Sequence, residues 1–280
     1  MTVSFSHPYL EKLRSQAAEK DSLLCFGMDP VAERMGLDLA GNLGDQIEGY
    51  FARILEEIRG RVSAVKPNLA YYLQYGGDGM RALGRLIGRA RAFGIPVILD
   101  AKMGDIGRSS EAYARFAFQV AGADAVTLNP YMGRDSLQPF FCVPEKGFYV
   151  IALTSNPGAR TFQMEKMKPQ TCLYEYVLQT ICCWNAERPS VGAVLGATQE
   201  GLGGGIGLIA QSGCSLPLLI PGVGSQGGSY GAVRRVLAEK GYDAGLVRIN
   251  ASSAISYARE RLPGSVEDAA AAAVEELLGS

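Results

Sequence analysis

The chain has 280 residues, which is enough for one large α/β domain or two small ones. Lysine and arginine number 27 against 28 aspartates and glutamates, so no overall positive field favours nucleic acid or an anionic membrane as a partner. No apolar run approaches the roughly 20 residues of a membrane span, and the N-terminus lacks the charged-then-apolar order of a signal peptide. These features predict a cytoplasmic protein.

The single histidine and the six cysteines restrict the chemistry of the chain. His7 precedes Pro8 near the N-terminus, where it is expected to cap or orient the first helix. The cysteines show neither C-x-x-C spacing nor a neighbouring group of histidines. We therefore expect no metal site, and we expect acid–base chemistry to rest on lysine and aspartate.

The predicted elements follow one repeating plan. Residues 8–20 form a short amphipathic helix that covers one end of the domain. Eight apolar, strand-like runs then alternate with helical segments every ~25–40 residues, up to an alanine-rich closing helix over residues 266–278. This repeat is typical of an α/β (β/α)8 TIM barrel. We predict a single TIM-barrel domain over residues 1–280 with an extra N-terminal helix.

Several of the strand-like runs end in polar residues. Asp29 and Pro30 end the first run, Lys66 ends the second, and Asn129 ends the fourth. A tyrosine-rich segment around residues 71–75 is predicted as a loop after the second run. Because the carboxyl ends of barrel strands form one rim, where the active sites of this fold lie, these polar side chains should converge there.

The third run, residues 95–100, leads into Asp100-Ala-Lys102-Met-Gly-Asp105. Asp100 and Lys102 are two residues apart, so on a continuing strand they project from the same face and must neutralise each other. One interpretation is a structural ion pair that caps the strand. The alternative is an active site at the barrel mouth, and the convergence of other polar strand ends favours it.

Lys102 allows two chemical interpretations. A Schiff-base nucleophile needs an amine whose pKa is lowered by apolar surroundings or a neighbouring cation. Here two acids flank the lysine and should keep it charged, which suits a proton donor or an electrostatic stabiliser of a carbanion.

Residues 222–228, after the seventh run, form a glycine-rich segment. Glycines let backbone N–H groups approach a ligand, and the loops after strands seven and eight of a barrel often bind phosphate. A tight turn without function is the alternative. Small polar residues in and near this segment favour the phosphate site: Gln226, Asn250, Ser252 and Ser253.

Five motifs together resemble the orotidine 5′-phosphate decarboxylases, and more narrowly the longer bacterial branch of that family. They are Phe26-Gly-Met-Asp29-Pro30, Val65-Lys66-Pro67-Asn68, Asp100-Ala-Lys102-Met-Gly-Asp105-Ile106-Gly107, Leu153-Thr-Ser155-Asn156-Pro157-Gly158 and Ile220-Pro-Gly-Val-Gly-Ser-Gln226-Gly-Gly228. The likeness runs from about Phe26 to Ile255 in the same strand order, which is far more specific than the charged motif alone.

The resemblance implies cofactor-free decarboxylation of orotidine 5′-phosphate to uridine 5′-phosphate in pyrimidine biosynthesis. Lys66, Asp100, Lys102 and Asp105 would form the catalytic charged network. Lys102 would protonate the ring carbon that loses the carboxylate, and Asp100 would face that carboxylate.

The resemblance also implies a homodimer with shared active sites, in which Asp105 and Ile106 enter the site of the neighbouring subunit. Asp29 and Lys66 would hold ribose hydroxyls, and Ser155 the pyrimidine. The expected substrate-binding residues are Asp29, Ile106, Ser109, Ser155, Arg160, Gln226, Gly227, Asn250, Ser252 and Ser253.

Three positions depart from the family pattern. Met103 replaces the usual arginine, and Ser109 replaces a ribose-contacting threonine while keeping a hydroxyl. After the eighth run the branch reads Asn-Ser-Ser-Arg, whereas this chain has residues 250–253 as Asn-Ala-Ser-Ser and so lacks the arginine for the phosphate. Arg160 is the expected replacement, because Arg248 would lie two residues deeper inside the barrel.

Two other functions fit parts of the pattern. One is a metal-dependent phosphosugar decarboxylase or synthase of the same superfamily, which a chelator would inhibit. The other is a ligand-binding barrel that has lost catalysis, which the missing arginine suggests and which turnover of orotidine 5′-phosphate would exclude.

Overall fold

The computed structural model describes residues 7–167, 171–197, 201–224 and 227–280. Its eight strands are all parallel and hydrogen-bond in the order β2-β1-β8-β7-β6-β5-β4-β3. They are β1 Leu24–Met28, β2 Ala64–Pro67, β3 Ile98–Met103, β4 Ala125–Leu128, β5 Gly147–Leu153, β6 Val191–Leu195, β7 Leu218–Pro221 and β8 Val247–Ala251. Parallel bridges from Val65 to Val97 and from Asn68 to Asp100 join the two ends of the sheet. The predicted TIM barrel is confirmed.

Helices lie between consecutive strands and around the barrel. They are α1 Pro8–Lys20, α2 Ala32–Met35, α3 Leu43–Ile58, α4 Leu69–Leu73, α5 Gly76–Ala92, α6 Gly107–Arg115, α7 Arg134–Phe141, α8 Ala159–Phe162, α9 Leu173–Glu187, α10 Gly201–Gln211, α11 Tyr230–Glu239, α12 Ser253–Ser256 and α13 Val266–Leu278. A π-helical turn, Phe116–Val120, extends α6, and 3₁₀ turns cover Ala244–Leu246 and Ala258–Glu260. None of the described helices has the length and apolar composition needed to cross a bilayer.

Helix α1 closes the amino-terminal end of the barrel, as the sequence predicted. Tyr9 and Leu13 pack with residues that point into the barrel, and the Tyr9 and Tyr149 hydroxyls lie 2.9 Å apart. The helix begins after His7, whose Nδ1 accepts a hydrogen bond from the backbone N–H of Tyr9 at 3.2 Å, and Pro8 occupies its first turn. The apolar interior therefore blocks this end of the barrel and leaves the carboxyl end open for a site.

The tyrosine-rich segment is not a loop, and this prediction was wrong. It contains helix α4, whose first turn is capped by Asn68 through a hydrogen bond from the backbone N–H of Ala70. Tyr72 is fully buried and its hydroxyl donates to the carbonyl of Met28 at 2.9 Å. The cap and this tertiary contact stabilise a helix of five residues that sequence periodicity does not reveal.

Candidate active site

A cavity of about 350 Å³ opens at the carboxyl ends of the strands. Residues on or just after all eight strands line it, which is the convergence that the polar strand ends predicted. Predicted site residues along its wall are Asp29, Lys66, Asp100, Lys102, Ser155, Asn250, Ser252 and Ser253. The barrel thus brings most of the predicted residues together around one space.

Asp100 lies between two lysines on the wall formed by β2 and β3. Its Oδ2 accepts from Lys66 Nζ at 2.7 Å, and its Oδ1 accepts from Lys102 Nζ at 2.6 Å. Lys66 and Asp100 are buried, whereas 49% of the Lys102 side chain is exposed. All three side chains line the cavity, and Lys102 is the most exposed of them.

Burial and charge act in opposite directions on this cluster. Burial raises the pKa of Asp100, but the charges of Lys66 and Lys102 and their hydrogen bonds outweigh it, so the pKa of this carboxyl lies well below its usual range. Burial lowers the pKa of Lys66. Attraction to Asp100 and Asp29 and the hydrogen bond to Asp100 raise it by more than burial lowers it, so the net shift is upward. Both groups are charged at neutral pH.

The backbone at Lys102 does not follow a regular strand. Lys102 has a φ of 48°, in the left-handed region that only a few per cent of non-glycine residues adopt, and the pairing of β3 with β4 shifts register between Leu99 and Met103. The prediction that Asp100 and Lys102 lie together is therefore confirmed, but the reason given for it, regular strand alternation, was wrong. The two side chains meet because the strand bulges.

Thr127 on β4 holds this bulge in place. Its buried Oγ1 accepts from the backbone N–H groups of Ala101 and Lys102, each at 2.9 Å, and donates to Asp100 Oδ1 at 2.9 Å. A single hydroxyl thus fixes both the irregular backbone of Lys102 and the carboxylate that binds its side chain. Sequence analysis missed Thr127, since one polar residue in an apolar strand is a weak signal.

Asp29 connects the ends of β1, β2 and β8. Its Oδ1 accepts from the backbone N–H of Asn68 at 3.2 Å, and its Oδ2 accepts from the Ser252 hydroxyl at 2.5 Å. Nearby, the buried Oδ1 of Asn250 has no hydrogen-bond partner among the described residues. An unpaired buried acceptor beside a cavity is suited to a donor from a ligand.

The other predicted residues lie away from this cavity or outside the described residues. Asp105, Ile106 and Ser109 do not line it, and Ile106 is 62% exposed. Gly227 has a φ of 87° and does not line the cavity either, and Gln226 lies outside the described residues.

The two arginines considered for the phosphate occupy different places. Arg160 is exposed on α8 and does not line the cavity. Arg248 is fully buried and donates to backbone carbonyls, including those of Leu13 at 2.5 Å and Ser63 at 3.2 Å. The predicted depth of Arg248 is confirmed, and these carbonyls explain how the barrel tolerates its charge. Arg34, which sequence analysis did not consider, does line the cavity.

Metal ligands are not grouped in the part of the chain that the structure describes. Residues 7–167, 171–197, 201–224 and 227–280 contain no cluster of three or more histidine, cysteine, aspartate or glutamate side chains placed to hold an ion. At the cavity, Asp100 is instead paired with Lys66 and Lys102.

The sequence and the fold both resemble those of known proteins. Residues 22–263 match the model of the orotidine 5′-phosphate decarboxylase / HUMPS family. The orotidine 5′-phosphate decarboxylase of Azoarcus sp. is 40% identical over 95% of this chain and 94% of its own length, and that of Thermomicrobium roseum is 37% identical over 91% and 86%. The structure of Leishmania donovani OMP decarboxylase superposes with a TM-score of 0.76 at 30% identity and covers 97% of both chains.

Proposed function

The chain belongs to the orotidine 5′-phosphate decarboxylase / HUMPS family, and we propose that it converts orotidine 5′-phosphate to uridine 5′-phosphate in pyrimidine biosynthesis. The observation that carries this proposal is the Asp100 carboxylate held between the ammonium groups of Lys66 and Lys102 at the wall of the cavity. The relatives named above share the family, and the cluster provides the charged groups that the reaction needs.

The reaction replaces a carboxylate by a proton. The bond between the pyrimidine ring and its carboxylate breaks, carbon dioxide leaves, and the electron pair stays on the ring carbon. The Lys102 ammonium then donates a proton to that carbon and is reprotonated by water. Because its charge lies beside the developing carbanion, Lys102 also stabilises the transition state before the proton moves.

Asp100 and Lys66 prepare Lys102 for this role. Asp100 stays ionised because its pKa is well below the usual range, so it accepts a hydrogen bond from the Lys102 ammonium group at 2.6 Å and places negative charge against the substrate carboxylate. Lys66 balances the second oxygen of Asp100 from a buried position. The cluster is preorganised, so little rearrangement is needed when the reaction begins.

The remaining lining residues position the substrate. In this proposal Asp29 and Lys66 bind ribose hydroxyls, and Ser155, just after β5, binds the pyrimidine; their positions along the cavity wall support these roles. The unpaired Oδ1 of Asn250 supports a further role in accepting a hydrogen bond from the ligand. Since Gln226 is outside the described residues, its contact with the phosphate side stays a prediction from the sequence.

We also propose that the active protein is a homodimer that shares its sites. Asp105, Ile106 and Ser109 do not line the cavity of their own chain, which is consistent with a role in the site of a second subunit. Support comes from large exposed apolar side chains on the segments that follow β2, β3 and β4: Leu73, Ile106, Tyr113, Tyr131 and Met132. Tyr131 is 91% exposed, and such exposure is unusual for a large aromatic side chain that has no binding partner. A cytoplasmic location fits the water-soluble substrate and product.

The direct test is turnover by the purified protein. We expect loss of the orotidine absorbance with release of one carbon dioxide per uridine 5′-phosphate, and we expect EDTA to leave the rate unchanged. Inhibition by EDTA that added divalent metal reverses would favour the metal-dependent members of the superfamily. Absence of turnover with tight binding of the nucleotide would instead indicate a barrel that has lost catalysis.

A further inference from the structure

On the β7–β8 side of the cavity, the described lining residues carry no positive charge. In TIM barrels a phosphate group often binds between the loops that follow strands seven and eight. On that side the described lining residues are Pro221, Gly222, Val223, Asn250, Ser252 and Ser253, and all of them are neutral. Asp29, bonded to Ser252, adds negative charge there. A phosphate dianion placed on this side needs a cation from elsewhere.

Few cations are available to meet that need. Among the described residues that line the cavity, three are positively charged: Arg34, Lys66 and Lys102. Both lysines bind Asp100 on the β2–β3 wall. Arg34, on the short helix after β1, is paired as well, with Glu260, but it lies beside Tyr257 after β8 and not on the β2–β3 wall.

The side chain of Arg34 is fixed beside the β8 loop. Its guanidinium carbon lies 3.9 Å from the centroid of the Tyr257 ring, and Nε and Nη2 donate to Glu260 at 2.8 and 2.6 Å. Tyr257 is one turn beyond Ser253 and is held by hydrogen bonds to the backbone of Asp29 and Val31. Cation–π stacking and a two-point ion pair together set where the guanidinium lies.

The same geometry leaves part of the guanidinium for a ligand. Arg34 Nη1 donates to no acceptor among the described residues, and 37% of the side chain is exposed. Arg34, Ser253 and Tyr257 also line a neighbouring cavity next to Gly224, so the group lies where the β7 and β8 loops meet. An arginine held in this way binds phosphate without first ordering its own side chain.

We propose that Arg34 is the cation that binds the 5′-phosphate of the substrate, in place of the arginine that the family pattern has at the position of Ser253. This inference rests on the proposed function, since it takes the ligand to be the nucleotide named there. Arg160, exposed on α8, and Arg248, bonded to backbone carbonyls inside the barrel, are less suited to this role.

The test compares substrates that differ only in the phosphate. Arg34→Ala should raise the KM for orotidine 5′-phosphate about 10- to 100-fold, and should change kcat/KM for unphosphorylated orotidine less than about twofold. Arg34→Lys should recover part of the loss, because it keeps the charge without the planar donor geometry. Arg160→Ala measures the competing assignment in the same assay.

Arg59 provides a matched control. Its guanidinium also stacks on an aromatic ring, that of Phe93 at 4.9 Å, and also pairs with a glutamate, Glu56, but at the opposite end of the barrel. Arg59→Ala should leave the KM for orotidine 5′-phosphate and the kcat/KM for orotidine at their wild-type values. A larger KM increase in Arg160→Ala than in Arg34→Ala, or equal losses on both substrates in Arg34→Ala, would overturn the assignment.

A binding measurement separates this inference from the proposed function. By calorimetry, Arg34→Ala should weaken binding of uridine 5′-phosphate about 10- to 100-fold and leave uridine binding unchanged. If the wild-type protein binds uridine 5′-phosphate but does not turn over orotidine 5′-phosphate, the proposed function fails while the role of Arg34 is still decided by these constants. If Arg34→Ala binds uridine 5′-phosphate as tightly as the wild type does, Arg34 is not the phosphate's cation.

Discussion

The two sides of the cavity hold charge in different ways. On the β2–β3 side, Lys66, Asp100 and Lys102 come from the strands themselves and neutralise one another within hydrogen-bond distance. On the β7–β8 side the described lining residues at the strand ends are neutral, and Arg34, which stacks on Tyr257 after β8, comes from the helix after β1. The first side is organised for chemistry on a small reacting centre, and the second for binding a distant part of the substrate.

This difference predicts two kinds of defect. Changes on the β2–β3 side should lower kcat, because its groups act on the reacting atoms. Changes on the β7–β8 side should raise KM for the phosphorylated substrate, because binding energy is lost where no bond is broken. The predictions below test the first kind.

The largest effect is expected for Lys102→Ala. The variant lacks the proposed proton donor, so turnover should fall by about 10²- to 10⁴-fold. The far-UV circular dichroism should be unchanged, because the fold is intact. Lys20→Ala is the matched control, since Lys20 also forms a 2.6 Å ion pair with a carboxylate, but at the end of α1. Comparable turnover in wild type and Lys102→Ala would remove Lys102 from the mechanism.

The next effect concerns Asp105, which we propose completes the β2–β3 side from a second subunit. Asp105→Asn alone should lose about 100-fold or more in turnover. Equal mixtures with Lys102→Ala subunits should regain about a quarter of wild-type activity, because half of the dimers are mixed and each carries one intact site. Activity is measured after subunit exchange has been verified. Absence of recovery would mean that Asp105 acts within its own chain.

The smallest effect is expected at Thr127, which positions the charged cluster. Thr127→Val keeps the shape but leaves two backbone N–H groups without their acceptor, which costs about 1–3 kcal/mol for each group. We expect kcat to fall about tenfold with KM within about threefold of wild type, and Thr127→Ser to restore kcat. The readouts are steady-state kinetics and thermal unfolding. If Thr127→Val lowers stability without lowering kcat, the hydroxyl has only a structural role.

The same contrast explains what the sequence could predict. Asp100 and Lys66 were identified because strands in a barrel carry their ends to one rim, and helix α13 was predicted with its observed bounds from its alanine-rich sequence. These features depend on local sequence and on strand register.

Features that depend on contacts between distant segments were missed. Helix α4 needs the buried hydroxyl of Tyr72, and the bulge at Lys102 needs Thr127 from the next strand. Arg34 became a candidate only because α2 packs beside Tyr257, which follows it by more than two hundred residues. Spacing along the chain carries no signal for such contacts.

The central claim is that the cluster around Asp100 replaces a carboxylate by a proton. The reaction of orotidine 5′-phosphate with the wild-type protein in D₂O, followed by proton NMR, tests it most directly. We predict uridine 5′-phosphate with one deuterium at the ring carbon that carried the carboxylate, since the Lys102 ammonium exchanges its protons with solvent. Unchanged orotidine 5′-phosphate, or product without deuterium at that carbon, would contradict the account.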